Sequence, residues 1–140
     1  MGEIGGNMEH IEHEEFERKV MNMLLEGPDQ RLAILKKQYL SSSIIKREFT
    51  GGRGFFTTFN VPKDLVTDSF NGRIDDLQAK IIDNQGNCIE GDYLFFILYI
   101  KDGKIDTLEC FTTTIYDWDY NYANTIIEYC YDNYRNYDLN

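Results

Sequence analysis

The longest apolar run of the chain is interrupted by an Asp-Gly pair, in the stretch 91–112 that reads GDYLFFILYIKDGKIDTLECFT. Two β-rich runs separated by Asp-Gly are the strongest short-range signal for a β-hairpin, because a type I′ turn needs positive φ at both loop residues. With Asp102 and Gly103 as the loop, Lys101 pairs with Lys104 and Ile100 with Ile105. The sequence therefore predicts a central hairpin, around which the rest of the chain is arranged.

Alternation outward from this turn assigns every side chain of the hairpin to one of two faces. The first strand is apolar on both sides, so we expect it to be central in its sheet and covered at least partly on both faces. Glu109 falls opposite Phe96 on a largely apolar face, whereas Ile97 falls opposite Leu108. Glu109 is then either a strand-end carboxylate that reaches water or an arginine, or a pocket carboxylate with a functional role. A slip of one residue would exchange the two faces.

Two helices are predicted before the first strand. Phe16, Val20, Met23 and Leu24 form one stripe of an amphipathic helix, which the Gly27-Pro28 pair ends. Asp29 can cap a second helix, whose buried stripe is expected to contain Leu32, Leu35 and Tyr39. The stripes of both helices must cover a sheet face.

Strands are predicted at 44–50, 55–60 and 74–82, ahead of the central hairpin. The first two form a second hairpin through the glycine-rich loop 51–54. This loop lacks the phosphate-binding pattern and links two strands, so we expect a turn with unusual φ angles, and the alternative is that Arg53 contacts an anion. The segment 125–131 fits a last strand by propensity, with a helix as the alternative. The sequence predicts an α+β fold, with two N-terminal helices packed on a mainly antiparallel five- or six-stranded sheet.

The length of 140 residues indicates a single domain, 1–140, whose first ten residues are expected to form a flexible tail. The net charge of −10 argues against binding to nucleic acid or to an anionic membrane surface, and it permits a basic protein partner. Cys88, Cys110 and Cys130 form no CxxC pair, so we interpret them as reduced thiols of a cytoplasmic protein. No cofactor is indicated, and the oligomeric state is left open.

His10 and His13 are three residues apart, a spacing that would place both imidazoles on one helix face. No third ligand accompanies them, so the sequence predicts a solvated helix start and no metal site.

Aromatic and acidic residues dominate the chain after Thr112. Tyr and Trp are frequent interface anchors, and carboxylates steer the approach of a basic partner. The residues predicted to bind a partner are Tyr116, Asp117, Trp118, Asp119, Tyr120 and Tyr122.

The stretch 46–62, KREFTGGRGFFTTFNVP, resembles a motif of a family of small bacterial proteins, S-R-E-F-T-G-x-G-F-F-T-x-F-x-V-P. The family's L-E-G-[YF]-T segment matches 108–112, followed by Trp118, and the resemblance spans about 16–118. It implies two helices followed by a sheet. It implies no chemistry, since the family has no established activity. The chain departs from the pattern at Lys46, at the extra residue near Gly52-Arg53 and at Cys110.

Arg47, Glu48 and Glu109 lie at matching positions of this motif. Alternation puts Arg47 and Glu48 on opposite faces of their strand. Glu109 is expected either to pair with Arg47 as a structural ion pair or to share a pocket with Glu48, where two carboxylates could do acid–base work.

Three functions follow from these features. The first is a non-enzymatic protein-binding module, for example an acidic immunity or antitoxin protein that masks a basic partner. The second is a small-molecule-binding protein or enzyme that uses Glu48 or Glu109 in a pocket between helices and sheet, although no catalytic motif is present. The third is a structural α+β domain whose function depends on its genomic context.

Overall fold

A computed structural model describes the backbone of residues 2–140 and the side chains from Glu12 onward. Two helices come first, α1 (Gly2–Leu24) and α2 (Gln30–Ser41). Seven strands follow, which are β1 (Ser43–Phe49), β2 (Gly54–Asn60), β3 (Gly72–Ile82), β4 (Cys88–Lys101), β5 (Lys104–Thr112), β6 (Thr125–Tyr129) and β7 (Asp138–Leu139). Short 3-10 turns occupy Lys63–Leu65 and Tyr122–Asn124. The expected tail, 1–10, falls on residues whose side chains lie outside the described part, so it stays a prediction.

The strands form one sheet in the order β1-β2-β5-β4-β3-β6, and β7 also pairs with β3. All of the pairings are antiparallel. The predicted α+β fold with two N-terminal helices is thus confirmed, and the short β7 adds a strand to the expected five or six. The segment predicted as a last strand is β6, so the strand, and not the helical alternative, is observed there.

Both helices pack on one face of the sheet. Phe16, Val20 and Leu24 of α1 are buried as predicted, and Leu32 and Leu35 of α2 are completely buried. Their core partners on the sheet are the side chains of Phe55, Phe59, Ile74, Leu77, Leu94, Phe96, Leu98, Ile105 and Leu108. Burial of each such side chain contributes roughly 1.5–3 kcal/mol relative to exposure, which makes this layer the main source of stability.

Hydrogen bonds from polar side chains fix both ends of α2. The predicted cap, Asp29, accepts a hydrogen bond from the backbone N–H of Arg31 at 2.9 Å. Near the other end, the fully buried Gln38 donates to the carbonyl oxygen of Gly103 at 2.8 Å and accepts from the N–H of Ile105 at 3.1 Å. This amide therefore ties α2 to the turn of the central hairpin.

The central hairpin has the predicted turn, with φ of +51° at Asp102 and +75° at Gly103. Its register differs beyond that turn. Tyr99 pairs with Thr107 while Ile100 pairs with Ile105, so a β-bulge leaves Asp106 unpaired. The bulge exchanges the two faces of β5, because it inserts one residue into a strand whose side chains alternate.

The C-terminal segment is fastened to the helices by Arg135. Its guanidinium donates to the buried Asp76 carboxylate at 2.7 and 2.9 Å and to the carbonyl oxygen of Leu24 at 3.0 Å. The same group lies over the ring of Tyr129, 4.8 Å from its centroid. One side chain thus connects β3, β6 and the end of α1.

In the described part of the chain, no helix combines the length and the apolar character that crossing a bilayer requires.

Candidate functional site

The glycine-rich loop 51–54 holds a stretch that we call the clamped segment, 112–122. The Arg53 guanidinium donates to the carbonyl oxygens of Thr112 at 3.2 Å and Thr114 at 3.1 Å. Two backbone hydrogen bonds also hold the segment. The N–H of Thr112 donates to the carbonyl oxygen of Arg53 at 3.0 Å, and the N–H of Trp118 donates to the carbonyl oxygen of Gly52 at 2.8 Å. The Arg53 cation therefore neutralises backbone dipoles of the clamped segment. The alternative offered by the sequence analysis was that Arg53 contacts an anion.

The far end of the clamped segment is held by Tyr120, a non-glycine residue with φ of +58°. Its hydroxyl donates to the carbonyl of Gly54 at 2.7 Å and accepts from the N–H of Gly52 at 3.1 Å. Gly52 itself has φ of +87°, and a Cβ there would lie 2.5 Å from the Cβ of Asp117. The predicted unusual φ angles are confirmed, and their use is close contact with this segment.

Trp118 lies in the core and is 5% exposed. Its ring centroid is 4.7 Å from that of Tyr120 and 5.5 Å from that of Tyr122, so the three rings pack together. The large apolar area of this indole is used inside the fold, and the partner contact that the sequence analysis assigned to Trp118 stays a prediction.

The other predicted partner residues divide by exposure. Tyr116 is 77% exposed. The carboxylates of Asp117 and Asp119 are also exposed, whereas Tyr120 and Tyr122 are half-buried. Ile115, which was not among the predicted residues, is 88% exposed. The sequence signal for this exposed side chain was an apolar residue within the polar turn that follows β5.

The carboxylates of Glu48 and Glu109 lie on the sheet face away from the helices. Phe56 pairs with Glu48 on one side and with Glu109 on the other, which puts all three in one row across the strands. Because of the bulge, Glu109 pairs with Ile97, and Phe96 pairs with Cys110. The predicted pocket between helices and sheet is therefore not lined by these carboxylates.

Each of these two carboxylates has a nearby polar partner. Glu109 accepts a hydrogen bond from the hydroxyl of Tyr99 at 2.8 Å. Glu48 is paired with Lys46 at 3.0 Å, and both side chains are more than half exposed. The predicted pair between Glu109 and Arg47 is wrong, since alternation sends Arg47 to the helix face. The predicted separation of Arg47 and Glu48 onto opposite faces is confirmed.

A buried polar cluster below α1, which we call the Glu17 cluster, was missed by the sequence analysis. The carboxylate of Glu17 accepts from Arg47 at 2.8 and 3.2 Å and from the hydroxyl of Thr57 at 2.5 Å. The ring of His13 lies 3.1 Å from the same carboxylate through Nε2, and its Nδ1 lies 2.5 Å from the hydroxyl of Tyr122. The cluster therefore connects α1 to β1, β2 and the clamped segment.

The charge of Glu17 is stabilised in spite of its burial. Desolvation raises the pKa of this carboxyl, but hydrogen bonds from His13, Arg47 and Thr57 outweigh it and lower the pKa from 4.5 to about 2. Burial raises the pKa of Tyr122, so its hydroxyl is neutral at physiological pH. The group that faces His13 on its other side is thus a neutral phenol, and the cluster is a satisfied ion pair that fixes the fold.

Metal binding by a pair of histidines stays untested, because the side chain of His10 lies outside the described residues. His13 is 3% exposed and is engaged with Glu17 and Tyr122, so it does not belong to the solvated helix start that was predicted. From Glu12 onward, no group of three or more His, Cys, Asp or Glu side chains is arranged to hold a metal ion. Cys88, Cys110 and Cys130 are free thiols.

Comparison with known proteins found no matching family model, curated protein or solved structure. The resemblance of the KREFTGGRGFFTTFNVP stretch to a bacterial family stays a prediction.

Proposed function

We propose that this chain is a non-enzymatic protein-binding module that masks a basic protein, in the manner of an immunity or antitoxin protein. The observation that carries the proposal is the exposure of Ile115 and Tyr116, at 88% and 77%. They are the two most exposed of the large hydrophobic side chains in the described part of the chain. Exposed apolar side chains grouped in this way mark interaction sites more often than isolated ones do.

The backbone below these two side chains is held in place before any partner arrives. The carbonyl oxygens of Thr112 and Thr114 both accept hydrogen bonds from Arg53, and the hydroxyl of Thr112 donates to that of Thr114 at 3.1 Å. Two residues beyond Tyr116, the burial of Trp118 fixes the exit of the loop. A loop that is already ordered loses less conformational entropy on binding, so more of the contact energy is available as affinity.

The negative charge of the chain supports a basic partner. Asp117 and Asp119 are exposed beside Tyr116, and the whole chain carries a net charge of −10. An acidic surface around an aromatic anchor speeds encounter with a basic protein and disfavours acidic competitors. The free thiols support a reducing compartment, and we place the module in the cytoplasm.

The proposal is tested by affinity capture from the source cells with tagged chain, followed by measurement of the dissociation constant for the recovered partner. We expect one basic protein, whose binding weakens as salt is raised from about 0.05 to about 0.5 M. Ile115→Ala and Tyr116→Ala should each raise the dissociation constant by about tenfold or more, as truncation of an interface anchor does.

Tyr134→Ala is the matched control, since this ring is 60% exposed and lies outside the clamped segment. It should leave the dissociation constant within about twofold. Recovery of no basic protein, or an affinity that is equally insensitive to Tyr116→Ala and Tyr134→Ala, would contradict the proposal.

A further inference from the structure

The face of the sheet opposite the helices carries a row of aromatic side chains that are only partly covered. We call it the open face, and its centre consists of Phe56, Tyr93, Phe95, Ile97, Tyr99 and Phe111, with the carboxylate of Glu109 among them. The rings of Tyr93 and Phe95 are 6.1 Å apart between centroids, and those of Phe95 and Phe111 are 5.6 Å apart. Tyr99 and Phe111 are 36% and 37% exposed. The strand β4 is apolar on both sides, as expected, yet the helices cover one side alone.

The charged rim of the open face is already paired. Lys46 lies 3.0 Å from Glu48 at one flank. At the other flank, Lys80 lies 3.4 Å from Glu128, and Arg73 lies 3.4 Å from Asp75. A basic partner would gain little from this rim, because its carboxylates already have cations nearby, and the one carboxylate of the centre, Glu109, is hydrogen-bonded to Tyr99. The excess negative charge of the chain, −10 in total, therefore lies mostly elsewhere.

We propose that a second copy of this chain covers the open face, so that two sheets pack face to face in a symmetric dimer. A copy of the chain brings the same aromatic centre, in which Glu109 is already hydrogen-bonded to Tyr99, and the same locally balanced rim. The two surfaces can therefore meet without bringing the acidic regions of the chain into the interface. Two sheets stacked about 10 Å apart with strands within about 30° of each other form an ordinary sandwich. The same patch is used on both subunits, as a two-fold interface requires.

The open face is somewhat smaller than one side of a standard interface. Six strands spaced roughly 4.8 Å apart, with about seven residues of roughly 3.3 Å each, cover roughly 29 by 23 Å. This flat area of roughly 670 Å² approaches the roughly 800 Å² that each partner buries in a standard interface. The aromatic centre and the charged rim also match the usual anatomy of interfaces.

The dimer is tested by sedimentation equilibrium on the full chain without any partner, at concentrations from about 1 to about 200 µM. We expect the mass to rise from 16.4 kDa toward twice that value. The two copies repel each other through their net charge and not through the open face. Salt screens this repulsion, so the dissociation constant should fall as salt is raised. Binding of a basic protein would show the opposite salt dependence, so this test does not depend on the proposed function.

Two substitutions locate the interface. Phe95→Glu and Thr58→Glu each place a carboxylate on the open face at a half-buried position, and each should weaken dimerisation by about tenfold or more. Leu40→Glu adds the same charge at an exposed position of α2, on the helix side of the sheet, and should change the dissociation constant by less than about threefold. Circular dichroism and thermal unfolding establish that each variant is folded, and Thr58→Glu, which removes no apolar ring, keeps the test decisive if Phe95→Glu unfolds.

A chain that remains at 16.4 kDa over the whole concentration range overturns the proposal. An oligomer of any size that is unaffected by the two open-face substitutions overturns it as well, because another surface would then hold the copies together.

Discussion

Replacement of Glu17 by Gln removes the carboxylate on which the Glu17 cluster converges. The Glu17 side chain is 4% exposed and that of Arg47 is 17% exposed, so neither charge is well hydrated in the folded protein. Removal of one partner from a buried ion pair costs about 3–5 kcal/mol, because the other charge is left without compensation. Since Arg47 keeps some contact with water, we expect the lower end, a loss of about 3 kcal/mol in the free energy of unfolding at neutral pH.

The same carboxylate gives the loss a definite pH dependence. Its pKa is about 2 in the folded chain against 4.5 as the ordinary value. A lowered pKa in the folded state means that the stabilisation is complete above about pH 5 and is lost as the pH falls through 4.5 toward 2. With these two values, about 2 kcal/mol of the contribution of Glu17 is lost between about pH 7 and about pH 3.

Urea unfolding, followed by the fluorescence of Trp118, measures this directly. The difference in unfolding free energy between the parent chain and Glu17→Gln should shrink from about 3 kcal/mol near pH 7 to about 1 kcal/mol near pH 3. The other carboxylates are common to both chains and cancel in the comparison. Glu48→Gln is the control, since its exposed pair with Lys46 should contribute less than about 1 kcal/mol. Equal costs for the two substitutions, or a Glu17→Gln cost that does not change with pH, would refute the reasoning.

Two further substitutions test other parts of the fold. Gly52→Ala should destabilise the chain by about 1–3 kcal/mol and increase proteolytic cleavage near Asp117, because the new Cβ would meet that residue at 2.5 Å. Gly51 has a φ of +63° and open space around it, so Gly51→Ala should cost only the strain of a left-handed backbone, about 1–2 kcal/mol, and leave cleavage unchanged. Arg135→Leu should cost about 3–5 kcal/mol in urea unfolding, since it leaves the 2%-exposed Asp76 without its cation, and a smaller cost than that of Gly51→Ala would contradict the role assigned to this pair.

Most of the secondary structure was predictable because it depends on local signals. The Asp102-Gly103 turn, the Asp29 cap and the alternation in β3 each involve residues that are close in sequence. The register of β5 was not predictable, because the sequence of β5 fits an alternating strand both with and without a bulge at Asp106. That single inserted residue moved Glu109 from the core face to the open face.

The candidate site was predictable only in part, because burial depends on contacts between distant segments. Nothing near Trp118 in the sequence indicates that the glycine-rich loop would hold its backbone and direct the indole into the core. The Glu17 cluster did have a local signal. His13 and Glu17 are four residues apart and share the helix face of Phe16 and Val20, and a polar pair within an apolar stripe indicates a buried partner on another element.

The order of the strands has a consequence for the rate at which this chain folds. The hairpin of β1 and β2 and the meander of β3, β4 and β5 can each form from neighbouring residues, and they meet only where β2 pairs with β5. At that seam a Cβ on Gly54 would lie 1.8 Å from the carbonyl oxygen of Cys110, so the two backbones come too close there for any residue but glycine. Loop closure between distant segments is the slow step in folds of this kind. We therefore expect the pairing of β2 with β5 to limit the folding rate more than the formation of the hairpin or of the meander does.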